Sequence, residues 1–143
     1  MEIREIPSEM IEDAVGLWEA AGLTRPWNDP RADVRRALEG GASTILAGLH
    51  QGDLIATVMV GQDGHRGWVY YLAVHPEARR QGRGRAMMAA AESWLIARRV
   101  PKLNLMVRSD NNAARGFYEA LGYGRDDVTV PSRRLLTETI PAP

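Results

Sequence analysis

The 143-residue chain has no cysteine. That excludes disulfides, thiolate metal sites and a cysteine nucleophile, and it is compatible with a reducing cytoplasm. Histidine is scarce, and His50, His65 and His75 are too scattered for metal-ligand spacing, so no structural metal is expected. A surplus of either charge is missing too, because 18 basic and 18 acidic side chains cancel. Bulk nucleic-acid binding, which needs a basic surplus, is therefore not expected. The longest stretch without formal charge, Gly40 to Gly52, falls well short of the roughly 20 apolar residues of a spanning helix, so no membrane partner is expected. The first residues, MEIREIPSEM, lack the basic-then-apolar run of a signal peptide. A mature cytoplasmic protein is the expectation. No repeat, low-complexity tract or long linker divides the sequence, which fits one domain over residues 1–143.

Alternation of polar and apolar residues predicts a first strand at Glu2 to Ile6, stopped by Pro7. Ser8 is placed to cap a helix whose apolar positions Met10, Ile11, Ala14, Val15 and Trp18 recur at threes and fours, ending near Gly22. Asp29-Pro30 reads as a cap followed by proline at the first helical position, opening a second helix to about Glu39. Three strands follow, at Ser43 to Leu49, Leu54 to Gln62 and Gly67 to Val74, with tight connections that predict an antiparallel meander. A helix from about Arg83 to Arg99 precedes a strand at Leu103 to Val107 and a fourth helix at Ala113 to Leu121. Tyr123 to Val130 and Arg133 to Thr139 are the last two strand candidates.

The segment from Trp68 to Arg99 is the richest in chemistry. An apolar strand runs through His75-Pro76 into Arg79-Arg80-Gln81-Gly82-Arg83-Gly84-Arg85 and then into an alanine-rich helix. Paired glycines let backbone amides converge on a ligand, and the helix that follows adds unpaired N–H donors and a positive dipole end. Several arginines in one short loop supply charge for phosphates. A dinucleotide-binding turn is the rival reading, but its third small residue would fall at Met87, which is too bulky for close helix-to-strand packing. A plain turn with solvated arginines is the bland alternative.

A second segment, Asn111-Asn112-Ala113-Ala114-Arg115-Gly116-Phe117-Tyr118-Glu119-Ala120-Leu121-Gly122-Tyr123, gives the cradle a partner. N-x-x-A-x-x-F-Y-x-x-L-G-Y, some thirty residues beyond R-x-x-G-x-G, resembles the paired acyl-CoA signatures of the GNAT N-acetyltransferase superfamily. The R-P-W-N-D-P and D-G-H-R-G segments are similar to its small bacterial YpeA-like subgroup. The resemblance implies an α/β (α+β) fold with a central mixed, mostly antiparallel sheet of six to seven strands and about four helices, strands 4 and 5 splayed for acyl-CoA. It implies acetyl-CoA as cosubstrate and an amine acceptor, with a homodimer through the last strand left open.

Carried over by position, the resemblance places the CoA pyrophosphate on Arg79, Arg80, Gln81, Gly82, Arg83, Gly84 and Arg85. The pantetheine arm would lie beside Leu72, Ala73 and Val74, with Asn111 hydrogen-bonding it. Tyr118 would protonate the departing thiolate, which suits a phenol of pKa about 10 facing a thiol of about 8.5. Packing on the sheet is the plain alternative for Tyr118, and helix capping for Asn111. An amine must lose a proton before it attacks, yet the positions where relatives carry a carboxylate hold Met106, Tyr70 and Tyr71. His65, Asp63, Asp29, Asp110, His75 or a water path are the remaining bases. The acceptor is expected between the first helices and the strand pair around Tyr70, near Arg25, Trp27 and Asn28, with Arg25 a candidate for an acceptor carboxylate. An acyl-CoA-binding sensor without efficient catalysis is the alternative function.

Overall fold

The computed structural model describes residues 1–137. In chain order it has β1 (Glu2–Glu5), α1 (Ile11–Ala20), α2 (Pro30–Glu39), β2 (Ser43–His50), β3 (Asp53–Gln62), β4 (Gly67–Val74), α3 (Arg83–Ala97), β5 (Leu103–Asn104) and α4 (Asn112–Ala120). The strands form one sheet in the order β1-β2-β3-β4-β5, antiparallel except for the parallel β4–β5 pair. The β2–β3 turn carries positive φ at both Gln51 (51°) and Gly52 (84°), the hairpin geometry whose twist matches that of the flanking strands. Asp29 caps α2 by accepting from the Arg31 amide at 3.0 Å, with Pro30 behind it as the sequence predicts.

Each face of the sheet buries a separate cluster. Trp18, Val15 and Ala14 of α1 meet Val34 of α2, Ile45 and Ala47 on one side. Met87, Met88, Ala91 and Leu95 of α3 meet Leu46, Ala56, Val58 and Val60 on the other. Met87 is fully buried, and the small residue that admits it is on the sheet: a Cβ at Gly48 would lie 3.0 Å from the Met87 sulfur. Gly67 makes room in the same way for Leu95, whose Cδ1 would stand 2.6 Å from a Cβ there. The bulk at Met87 is thus a packing feature of the α3–sheet interface.

Three expectations fail. Ser8 does not cap α1: it lies in a short 3-10 turn (Ser8–Met10) preceded by Pro7, and α1 begins only at Ile11 with no side-chain cap. β5 is two residues long, because pairing with β4 stops after Gly67↔Leu103 and Trp68↔Asn104. No strand forms over residues 123–137, so the described sheet has five strands; residues 138 and 139 of the last candidate lie outside the described residues. The cause is local. Asp126 turns its carboxylate back to Lys102 Nζ and Asn104 Nδ2, both at 2.9 Å, so side chains tie this segment to β5 where a backbone ladder was expected.

Candidate functional site

β4 organises the site because it is paired along its whole length with β3 but along only its first two residues with β5. Beyond Trp68 the two strands splay, and the β4 edge toward β5 has no strand partner among the described residues. On the other edge the register slips: Thr57 faces Ala73 and Met59 faces Tyr70, so Tyr71 and Leu72 together oppose Val58. This is a β-bulge, and its first residue, Tyr71, has φ 53°. A left-handed aromatic residue costs roughly 1–2 kcal/mol, so its surroundings must hold it there.

They do so from three sides. The Thr57 hydroxyl donates to the Tyr71 carbonyl at 2.8 Å and accepts from Trp18 Nε1 at 2.8 Å. The Tyr71 ring stacks on the Trp18 indole with centroids 3.9 Å apart and planes 18° apart. Its hydroxyl donates to Asp33 Oδ2 at 2.6 Å and accepts from Asn28 Nδ2 at 3.2 Å, while Asn28 Nδ2 also reaches Asp33 Oδ2 at 2.7 Å. Helices α1 and α2 and strand β3 therefore all clamp the bulge. Sequence reading missed this lock, since its members stand far apart in the chain; Asn28, taken for an acceptor contact, is one of its struts.

A cleft opens on each side of the bulge. The first, about 600 Å³, is lined by Leu72, Ala73 and Val74 of β4, by the loop from Ala78 to Arg85, and by Phe117, Ala120 and Leu121 of α4. Gly82 takes φ 73°, a conformation that favours glycine, and turns the loop into α3. Gly84 serves packing: a Cβ there would stand 3.2 Å from the Phe117 ring. The N-terminus of α3 differs from those of α2 and α4, and it also lacks the acidic first turn of α1. Asp29 and Asn111 cap α2 and α4 with their own side chains, Asn111 Oδ1 accepting from the Ala114 amide at 3.0 Å. No side chain caps α3, its first turn has no acidic residue, and its first residues line the cleft, so the positive end of its dipole is uncompensated there.

The loop arginines divide their duties. Arg79 Nε donates to the Val74 carbonyl at 3.1 Å, and Arg83 Nη1 donates to the Ala78 carbonyl at 3.2 Å and to Gln81 Oε1, so both brace the loop. Arg79, Arg80, Arg83 and Arg85 all line the cleft; Gln81 does not. Tyr118 follows Phe117 on α4 but lines neither cleft; it is half-buried edge-on between Phe117 (5.0 Å) and Tyr123 (5.8 Å). Burial raises its pKa above the usual phenol value. Burial first, then Glu92 and Tyr118, push Tyr123 up to about 12.

The second cleft, about 700 Å³, lies between α2 and the splayed strands. Tyr70 lines it as expected, with Asp33 and Arg36 of α2, Trp68 of β4, and Met106 and Arg108, which reach it because the chain leaves β4 after Asn104. Arg25 and Trp27 do not line it. Arg25 Nη1 donates to the carbonyls of Gly22 and Thr24, both at 2.8 Å, and Trp27 is half exposed in a turn where the Asn28 amide bonds the Arg25 carbonyl. Leu23, from the same loop, lines both clefts. None of the five candidate bases lines either cleft. Asp63 accepts from the amides of Arg66 and His65 and from the Trp68 indole, which lower its pKa; Asp29 caps α2; and His75 Nδ1 accepts from the Glu77 amide.

Known proteins share this fold and sequence pattern. The family model described as "Acetyltransferase (GNAT) family" matches residues 10–123. An acetyltransferase of Yersinia pestis is 44% identical over 138 residues, spanning 96% of this chain and 98% of that protein, and one of Yersinia enterocolitica matches to the same extent. Among solved structures, the aminoglycoside N-acetyltransferase AAC(6')-Iy in complex with a CoA bisubstrate analogue superposes with a TM-score of 0.80 at 16% identity, covering 94% of this chain and 98% of that one. An aminoglycoside 6'-N-acetyltransferase of Acinetobacter haemolyticus gives a TM-score of 0.76 at 16% identity, covering 94% and 99%. At that identity the likeness is one of fold.

Proposed function

This chain belongs to the GNAT acetyltransferase family, and on that premise we propose that it binds acetyl-CoA in the cleft of the α3 loop and acetylates a primary amine seated in the cleft beside α2. The observation that carries the reading is the clamped bulge of β4, with one cleft on either side and an unpaired edge between them. The first cleft fits the cosubstrate in kind. Arginines and the uncapped α3 terminus suit phosphates, and the apolar Leu72, Ala73, Val74 and Phe117 suit the pantetheine arm. Asn111 is a weaker candidate for that arm, because its Oδ1 already caps α4.

Acetyl-CoA supplies the acetyl group and a thiolate leaving group. The amine nitrogen bonds to the thioester carbon as the C–S bond breaks, and the proton the nitrogen sheds passes to solvent. The Leu72 amide, at the bulge, is the donor we assign to the carbonyl oxygen as charge develops on it; a preorganised donor of this kind is worth about 3–4 kcal/mol in other enzymes. Tyr118 is the acid we assign to the departing sulfur: it lines neither cleft itself but packs 5.0 Å from Phe117, which does line the cosubstrate cleft, and burial raises its pKa, so it carries a proton to give and recovers one from water. No nucleophilic side chain takes part, in keeping with a chain that has no cysteine. The YpeA-like subgroup and a cytoplasmic setting belong to this proposal; no helix among the described residues is long and apolar enough to cross a membrane.

The test is thiol release from acetyl-CoA across an amine library, read with a thiol reagent to which the cysteine-free protein adds no background. Amine-dependent release with a matching acetylated product is expected. Tight acetyl-CoA binding with no release for any amine would instead identify an acyl-CoA sensor.

A further inference from the structure

Charge in the second cleft says what kind of amine belongs there. Asp33 is its one carboxylate among the described residues, and both oxygens are occupied: Oδ1 accepts from Arg36 Nη2 at 2.7 Å, and Oδ2 accepts from the Tyr71 hydroxyl at 2.6 Å and from Asn28 Nδ2 at 2.7 Å. Three donors already compensate this anion, which leaves it little to offer a cationic ligand. Arg108 is the opposite case. It lines the cleft, it is exposed, and its side chain has no hydrogen bond or ion pair among the described residues. The remaining surface near it, Trp68, Tyr70 and Met106, is mostly apolar. The cleft therefore presents an apolar wall with one uncommitted guanidinium, a group whose planar fork matches a carboxylate in two parallel hydrogen bonds.

We propose that the acceptor is an amino-acid-like amine, carrying a carboxylate and an apolar body, and that Arg108 binds the carboxylate and so determines specificity. The inference rests on the acetyltransfer reading and adds a substrate class to it. Its corollary is a bias against polycations: an aminoglycoside would bring several positive charges to a wall whose only carboxylate is engaged. Residues of the bulge line both clefts, Tyr71 this one and Leu72 the one beside α3, so the proposal requires the acceptor to present its amine toward the bulge while its carboxylate lies on Arg108.

The experiment compares kcat/KM for leucine and leucinamide, phenylalanine and phenylalaninamide, and tobramycin, in the wild type and in Arg108→Met and Arg108→Lys. The amides have less basic amines and hold more free base at neutral pH, so reactivity alone favours them. A preference for the acids of about tenfold or more, equivalent to about 1.4 kcal/mol, is expected in the wild type. It should vanish or invert in Arg108→Met, where intrinsic reactivity alone remains, and survive in part in Arg108→Lys, and tobramycin should be the poorest acceptor. Equal turnover of acid and amide, a preference untouched by Arg108→Met, or tobramycin as the best acceptor would each overturn the proposal. If no amine releases CoA, the acetyltransfer reading fails by itself, and calorimetry on the acetyl-CoA complex then decides this one: tighter binding of acid than amide upholds the carboxylate site, and equal or absent binding refutes it.

Discussion

The two clefts on either side of β4 are built in opposite ways. The cleft beside α3 takes most of its wall from one continuous stretch, Leu72 to Arg85, which brings the uncapped start of α3 and four arginines together. The cleft beside α2 draws side chains from Leu23, α2, β2, β3, β4 and the chain after β5, and what it can recognise depends on how each of those side chains is engaged. A ligand common to a whole family can be held by loop shape and helix polarity, which tolerate change in the surrounding side chains. A ligand particular to one member has to be read by side chains, and the state of each, committed like Asp33 or uncommitted like Arg108, matters more than its presence.

The largest effect expected is at neither wall. Tyr118→Phe should lower kcat by about 100-fold or more, the scale of a lost general acid, with acetyl-CoA affinity by calorimetry nearly unchanged. With the phenol's pKa raised, the alkaline fall of kcat in the wild type should lie above pH 10, and that limb should vanish in the variant. Unchanged turnover would leave the ring a packing residue between Phe117 and Tyr123.

The lock shared by both clefts comes next. Thr57→Val keeps the shape but strands the Trp18 indole N–H and frees the Tyr71 carbonyl, so denaturant unfolding should report a loss of about 1–3 kcal/mol. If the bulge shapes catalysis, kcat falls further than acetyl-CoA affinity; an equal fall in both would show the lock to be simply structural. Gly82→Ala, at φ 73°, should weaken acetyl-CoA binding by the equivalent of about 1–2 kcal/mol and leave the acid-to-amide ratio of acceptors as it was. A shift in that ratio would mean the clefts are not separable.

The smallest expected effect is in the β3–β4 turn. Backbone amides of Arg66 and His65 hold the Asp63 carboxyl below its ordinary value, so the stability it contributes is present above the unfolded pKa and is lost as pH falls through the lowered one. Melting curves of Asp63→Asn and wild type should therefore differ at neutral pH and converge as the solution is acidified below about pH 4.

Legibility in the sequence followed sequence distance. The meander, the Asp29-Pro30 start of α2, the α3 loop and the tyrosine after phenylalanine could be read because each is encoded in a few adjacent residues. The late strands were misread because alternation in residues 123–137 matches a strand locally, while Asp126 is pulled to Lys102 and Asn104. Arg25 and Trp27 fall outside the lining of both clefts for a similar reason: a loop can be placed near a cleft from sequence, but which of its residues lines it depends on the turn, and here that residue is Leu23.

The sequence by itself determined the family and the kind of cosubstrate through two motifs that resemble the family's, and it set the α3 loop because backbone conformation and helix polarity are local properties fixed by glycine, proline and capping residues. Tertiary structure alone decided that Tyr71 is held at a positive φ by Trp18, Thr57 and Asp33, and that Asp33 is committed while Arg108 is not. Those are facts of distance between residues up to some tens of positions apart in the chain, and only the packing of α1 and α2 on the sheet brings them together.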